Sequence, residues 1–142
     1  MRPIYENSAT LEAERKTIER FSSAYNVSFQ KLPRAYRIDW GMVSKEDNKI
    51  KGWVECKRRH CSRSKYRTFI ISLGKMMSGI DLYEKTNLPF IIVVEWDDGL
   101  GYCKVKELDD FDIDIGGRFD RGDSQDVEPL VHISVSCFTF LS

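Results

Sequence analysis

The chain is predicted to fold as one mixed α/β domain, a central mixed β-sheet flanked by helices in the order α-β-β-β-α-β. Three observations carry that prediction. From about Thr10 to Tyr25 the residues Leu11, Ile18, Phe21 and Tyr25 recur at the 3- and 4-residue spacings of one helical stripe. Two extended-looking segments, Ala35 to Val43 and Ile50 to Lys57, flank the turn-forming run Ser44-Lys-Glu-Asp-Asn-Lys49. Phe90 to Trp96 opens with five consecutive apolar residues between turn-forming neighbours, the pattern of a strand covered on both faces.

The elements follow in order. Asn7 or Ser8 is the candidate N-cap of the first helix, which closes near Asn26. Glu14 falls inside its apolar stripe, where a carboxylate is costly without a partner. Val27 to Leu32 reads as a short strand ended by Pro33, and Ala35 to Val43 as a longer one. Phe69 to Lys85 is the second predicted helix, with Ile70, Leu73, Met77, Ile80 and Tyr83 or Glu84 at helical spacing, Gly74 and Gly79 weakening it, and Asn87 and Pro89 ending it. Beyond Trp96 a hairpin at Asp97-Asp-Gly-Leu100 returns through Tyr102 to Lys106. Asp109 to Asp126 is expected as loop, and Leu130 to Leu141 as a final strand.

Bulk properties bound the function. At 142 residues the chain fits a single domain spanning 1–142, and 42% hydrophobic with 31% charged residues is too apolar for a disordered chain. No apolar run reaches membrane-spanning length and the N-terminus lacks a signal-peptide core, so no membrane partner and a cytoplasmic location are expected. Cys56, Cys61, Cys103 and Cys137 are then expected to be reduced thiols, mostly buried. Their spacing, even with His60 and His132, matches none of the usual zinc patterns.

The net charge is zero but unevenly spread. Lys57, Arg58, Arg59, Arg63, Lys65 and Arg67 fall within eleven residues that contain no acid, whereas nine acidic residues meet only Arg118 and Arg121 between Glu107 and Glu128. The first stretch suits an anionic partner; the second would repel one.

Trp53-Val-Glu-Cys-Lys57 is the most informative stretch. On a strand, side chains at i and i+2 share a face, which puts Glu55 and Lys57 roughly 6.5–7 Å apart along it. A hairpin centred on Asp47 or on Asp47-Asn48 places Asp39 opposite Glu55 or Cys56, adjacent to Glu55 in either register. A solvated face of paired charges is one account of these residues. Against it, Trp53 and Gly41 share the face, which suits a covered surface, and Glu14, Asp39 and Glu55 arriving near one point would demand a cation.

The order helix, strand aspartate, turn, Glu-x-Lys, basic turn and second helix resembles the PD-(D/E)XK nuclease superfamily, here in Ile38-Asp39 and Glu55-Cys56-Lys57. Glu14 to Phe21 is similar to the first helix of archaeal-type Holliday junction resolvases. The stretches Tyr36 to Trp40, Ile71 to Lys75, and Gly116-Gly-Arg118 through Val131-His-Ile133 look like small phage-encoded members. Ile38 stands where the family name has proline, a position that shapes backbone and does no chemistry.

The resemblance implies a restriction-endonuclease-like core and a Mg²⁺-dependent (or Mn²⁺-dependent) endodeoxyribonuclease with Glu14, Asp39, Glu55 and Lys57 as catalytic residues. Asp39, Glu55 and the backbone carbonyl of Cys56 would hold the metal, Glu14 would orient a water or a second ion, and Lys57 would position or help deprotonate the attacking water. Arg58, Arg59, Arg63, Lys65, Tyr66, Arg67 and Lys75 are the candidate DNA contacts. A branched-DNA resolvase, expected as a homodimer because two symmetric cuts are needed, and a less structure-selective phage nuclease both remain open. The rival from another class is a non-catalytic module on the same fold that binds nucleic acid or a phage protein.

Overall fold

A computed structural model describes residues 8–25, 27–109, 111–117 and 127–141. Helix α1 (Ser8–Ala24) leads into β1 (Val27–Lys31), β2 (Trp40–Ser44) and β3 (Ile50–Arg58). Strand β4 (Thr68–Ser72) and helix α2 (Leu73–Thr86) precede β5 (Phe90–Trp96) and β6 (Gly99–Val105), and β7 (Asp112–Gly117), β8 (Val127–Ser134) and β9 (Thr139–Leu141) close the chain. Six strands form one mixed sheet in the order β1-β2-β3-β5-β6-β9, and β4-β8-β7 form a second, smaller one. Central strands β3 and β5 run parallel, joined by the crossover that carries β4 and α2; the other ladders are antiparallel. This is the mixed α/β architecture of a restriction-endonuclease-like fold. No described helix is long and apolar enough to cross a membrane.

Alternation along the two central strands divides their side chains between two cores. Val54, Cys56, Ile91 and Val93 meet Ile18 and Phe21 of α1. Trp53, Phe90, Ile92 and Val94 meet Met76 and Ile80 of α2 and, from the small sheet, Phe69, Ile71, Val131 and Ile133. Apart from Glu95, strand β5 is apolar on both faces because both are covered, as its composition requires. Glu55 and Lys57, two and four residues beyond Trp53, therefore point toward the α2 side.

Four sequence expectations are corrected. Ala35 to Val43 is not one strand: Pro33 leads into a 3₁₀ turn at Arg34–Tyr36, and Arg37 adopts a left-handed conformation with φ 61°, so β2 starts only at Trp40. Asp39 is consequently the residue before the strand. The predicted helix at Phe69 is strand through Ser72, because Phe69 and Ile71 pair into the small sheet and the Ser72 hydroxyl accepts the Lys75 N–H to cap α2 at its true start. The apolar face of α2 accordingly runs through Met76 and Ile80, and Met77 is exposed. Asp112–Gly117, expected as loop, pairs with β8; residues 110 and 118–126 of that acidic stretch, and Asn7, lie outside the described residues. The final strand is interrupted by a 3₁₀ turn at Val135–Cys137, after which Thr139–Leu141 crosses to the edge of the large sheet.

Candidate active site

The hairpin β2–β3 builds the centre of the site. Its last paired rung is Trp40 opposite Val54, so Asp39 stands beside Glu55 one step further on, the first of the two registers the turn allowed. Backbone holds Asp39 there: its carbonyl accepts the Leu32 N–H at 2.9 Å, tying the segment to the end of β1. Both carboxylates are taken from water, with Glu55 0% and Asp39 6% exposed. Placing two anions together out of solvent is unfavourable without cations.

Three ammonium groups surround the pair. Lys31 Nζ, at the end of β1, lies 3.4 Å from Asp39 Oδ1, and Lys57 Nζ lies 3.5 Å from Glu55 Oε2. Lys75, in the first turn of α2, touches both carboxylates, 3.5 Å from Asp39 Oδ1 and 3.3 Å from Glu55 Oε2. Its Nζ is also 3.3 Å from Glu55 Oε1. Even so, Asp39 Oδ2 and Glu55 Oε2 have no hydrogen bond of acceptable geometry.

The charges divide unequally between the two acids. Burial pushes the Glu55 carboxyl up to about 7, the Asp39 charge adds to this, and Lys57 and Lys75 oppose it. Burial alone would raise Asp39 as well, but Lys75, Lys31 and Lys57 outweigh it and hold its pKa below the ordinary value. Asp39 thus carries the charge of the pair first. Burial would lower Lys57, but Glu55, Glu14 and Asp39 together raise it.

The donor chemistry fits a hard divalent cation: oxygen only, buried, anionic, with one oxygen on each carboxylate that makes no hydrogen bond. Cys56, whose backbone carbonyl the resemblance assigns as third ligand, lies between Glu55 and Lys57 with its thiol on the opposite face, 3.6 Å from the Glu14 carbonyl. No group of three or more His, Cys, Asp or Glu side chains poised for a metal occurs among the described residues. The acidic pair is Asp39 with Glu55, and the charge of Glu14, on α1, acts on the same Lys57.

Glu14 is buried on α1 and lines a cavity of about 330 Å³ with Ala9, Ala13, Lys57, Arg58, Arg59 and His60. The helix is anchored by an interaction invisible in the one-dimensional pattern: the fully buried Thr17 hydroxyl is 2.7 Å from Glu95 Oε1 on β5, and Arg20 pairs with the same carboxylate. Thr17→Val, which keeps the shape and removes the hydroxyl, is expected to cost about 1–3 kcal/mol, read as a shift in chemical denaturation midpoint.

The basic run after β3 is a pinned loop. Asp98 accepts the Arg63 N–H at 2.8 Å and the Ser62 hydroxyl at 2.9 Å, and Asp97 pairs with Arg58 at 2.8 Å. Arg59 donates to the Ile70 carbonyl at 3.2 Å and stacks on Phe69, while Arg63 stacks on Phe140. His60, Arg63, Lys65, Tyr66 and Arg67 are exposed, whereas Arg58 and Arg59 are half-buried. His132 sits elsewhere, bridging Thr68 at 3.2 Å and Asp114 at 2.8 Å across the small sheet.

Sequence reasoning placed Lys75 among DNA contacts and overlooked Lys31 and Glu95. Pairing of β1 with β2, Lys31 opposite Trp40, was the available signal for Lys31, since Pro33 lies between two strand-like runs. Nothing local marks Glu95, because its role depends on a helix 75 residues earlier in sequence.

A family model described as "Phage putative PDDEXK endonuclease" matches residues 1–141. No curated relative matches the chain.

Proposed function

Because the chain belongs to the phage PD-(D/E)XK endonuclease family, we propose that it is a Mg²⁺- or Mn²⁺-dependent endodeoxyribonuclease hydrolysing phosphodiester bonds at Asp39 and Glu55. The observation that carries this reading is the buried acidic pair, each member retaining an oxygen without a hydrogen-bond partner. A carboxylate pair kept only for solubility would sit in water, where its charge costs little.

Asp39 and Glu55, with the Cys56 carbonyl, would hold the cation. When bound, it supplies charge stabilisation to the phosphoryl oxygens and activation of the attacking water. Lys57 Nζ, with three donors and no acceptor, orients that water from the Glu55 side. Glu14, on the wall of the cavity it shares with Lys57, accepts a hydrogen bond from a water there. Lys65 and Arg67 contact phosphates flanking the cleaved bond, with Tyr66 available for stacking, while Arg58, Arg59 and Arg63 shape the loop that presents them.

With supercoiled plasmid, linear duplex, single strand, flap and four-way junction as substrates, cleavage is expected only with added Mg²⁺ or Mn²⁺. The acidic stretch between Glu107 and Glu128 and the zero net charge favour ends, flaps or junctions over broad duplex binding. Asp39→Asn and Lys57→Ala are each expected to lower the rate by at least about 10²–10³-fold with the fold intact by circular dichroism. Undiminished cleavage by both variants would remove the site assignment. Metal that neither stabilises the protein nor supports cleavage would leave the binding-module reading in its place.

A further inference from the structure

We propose that Lys75 is an internal counter-ion that occupies the cation position of the metal-free protein and is displaced from it when metal binds. The inference rests on the metal-nuclease reading and deepens it. Of the three lysines around the acidic pair, Lys31 reaches only Asp39 and Lys57 only Glu55; Lys75 alone bridges the two carboxylates. It therefore stands where a shared cation would stand.

Its hold is loose. The contacts of 3.3–3.5 Å exceed the roughly 2.7–2.9 Å of a strong charge-assisted hydrogen bond, and Asp39 Oδ2 and Glu55 Oε2 make no hydrogen bond despite the ion pairs around them. A divalent ion carries twice the charge and approaches carboxylate oxygens to about 2.0–2.1 Å, so it satisfies the pair where the ammonium does not. The lysine can leave without unfolding anything. Its backbone is fixed by the Ser72 cap at 3.2 Å, while its side chain is 31% exposed on a long flexible stem. Once displaced, the ammonium stays tethered at the mouth of the site, available to a substrate phosphate. One group thus protects the empty carboxylates and later meets the anion.

Two measurements test this. In wild-type protein, the acylation rate of Lys75 under limiting amine-reactive reagent, followed by mass spectrometry, is expected to rise at least about threefold on adding Mg²⁺, with exposed Lys85 unchanged as reference. By calorimetry, Lys75→Met is expected to bind Mn²⁺ about tenfold more tightly than wild type, whereas Lys31→Met, which removes an equal charge from one side only, gains at most about threefold. An unchanged Lys75 acylation rate in a wild type that binds metal, or Mn²⁺ affinity in Lys75→Met no tighter than in Lys31→Met, overturns the proposal and leaves the nuclease reading standing. A wild type that binds neither ion overturns both. The footprint needs no variant, so a Lys75→Met that fails to fold does not remove the test.

Discussion

Glu55→Gln is expected to abolish metal-dependent cleavage and at the same time to stabilise the metal-free protein at pH 8 by about 2 kcal/mol. Glu55 is fully buried beside Asp39, and burial pushes its carboxyl up to about 7 from an ordinary value of 4.5. A raised acid pKa means that the folded state disfavours the ionised form. Below pH 4.5 both folded and unfolded chains hold the proton and there is no penalty. The penalty grows between 4.5 and 7 and is complete above 7, reaching an upper bound of about 3 kcal/mol. Glutamine removes the charge but brings a buried amide to be satisfied, which reduces the gain. Urea unfolding of both proteins in EDTA, at pH 5 and pH 8, measures it. The variant's advantage should be present at pH 8 and largely absent at pH 5; equal stability at both pH values would show that Glu55 is not strained by burial. Saturating Mg²⁺ should reverse the order, because only the wild type gains binding energy.

The largest purely structural effect is expected where α2 crosses β5. A Cβ on Gly79 would stand 2.3 Å from the Cε2 and Cζ atoms of Phe90, and Phe90 is fully buried. The helix therefore approaches the sheet to a distance that only glycine permits. Gly79→Ala is expected to destabilise by about 2 kcal/mol even after the roughly 1 kcal/mol that alanine gains in helix propensity. Phe90→Ala is expected to cost about 3–5 kcal/mol by opening a cavity in the same contact. Combining Gly79→Ala with Phe90→Leu should cost less than the sum of the two single changes, because the smaller side chain makes room for the methyl; the coupling should be about 1–2 kcal/mol in a denaturation cycle. Strict additivity would mean that the two residues do not share this space.

Elements whose signal is local were legible in the sequence, and those made by distant partners were not. Phe90–Trp96 was readable to the residue, because a strand covered on both faces has no polar side to blur it. The β2–β3 hairpin and the approach of Asp39 to Glu55 followed from a compact turn and the two-residue period. The start of α2 did not, since Phe69 to Ser72 have helical spacing and become strand only by pairing with Leu130 to Ile133. The same limit applied at the site. Glu14 stood out as a carboxylate on an apolar stripe, but Lys75 looked like any helix lysine until the crossover carried it over the two acids. Gly79 read as a weak point in a helix, whereas the tertiary contact makes it a requirement.

The parallel pairing of β3 with β5 also has a kinetic consequence. The hairpins β2–β3 and β5–β6 join neighbours in sequence, so their contacts close short loops and form early. Uniting them requires closing the whole crossover from Arg59 to Pro89, with a correspondingly larger loop entropy. Asp39 and Glu55 belong to the first hairpin, but α2 and the core on its side arrive only with the crossover. Dehydration of the acids therefore requires the crossover to close, whereas their approach within the hairpin does not. A fluctuation that detaches α2 would rewet the acidic pair while both hairpins persist, giving ions a route of exchange that does not pass through global unfolding.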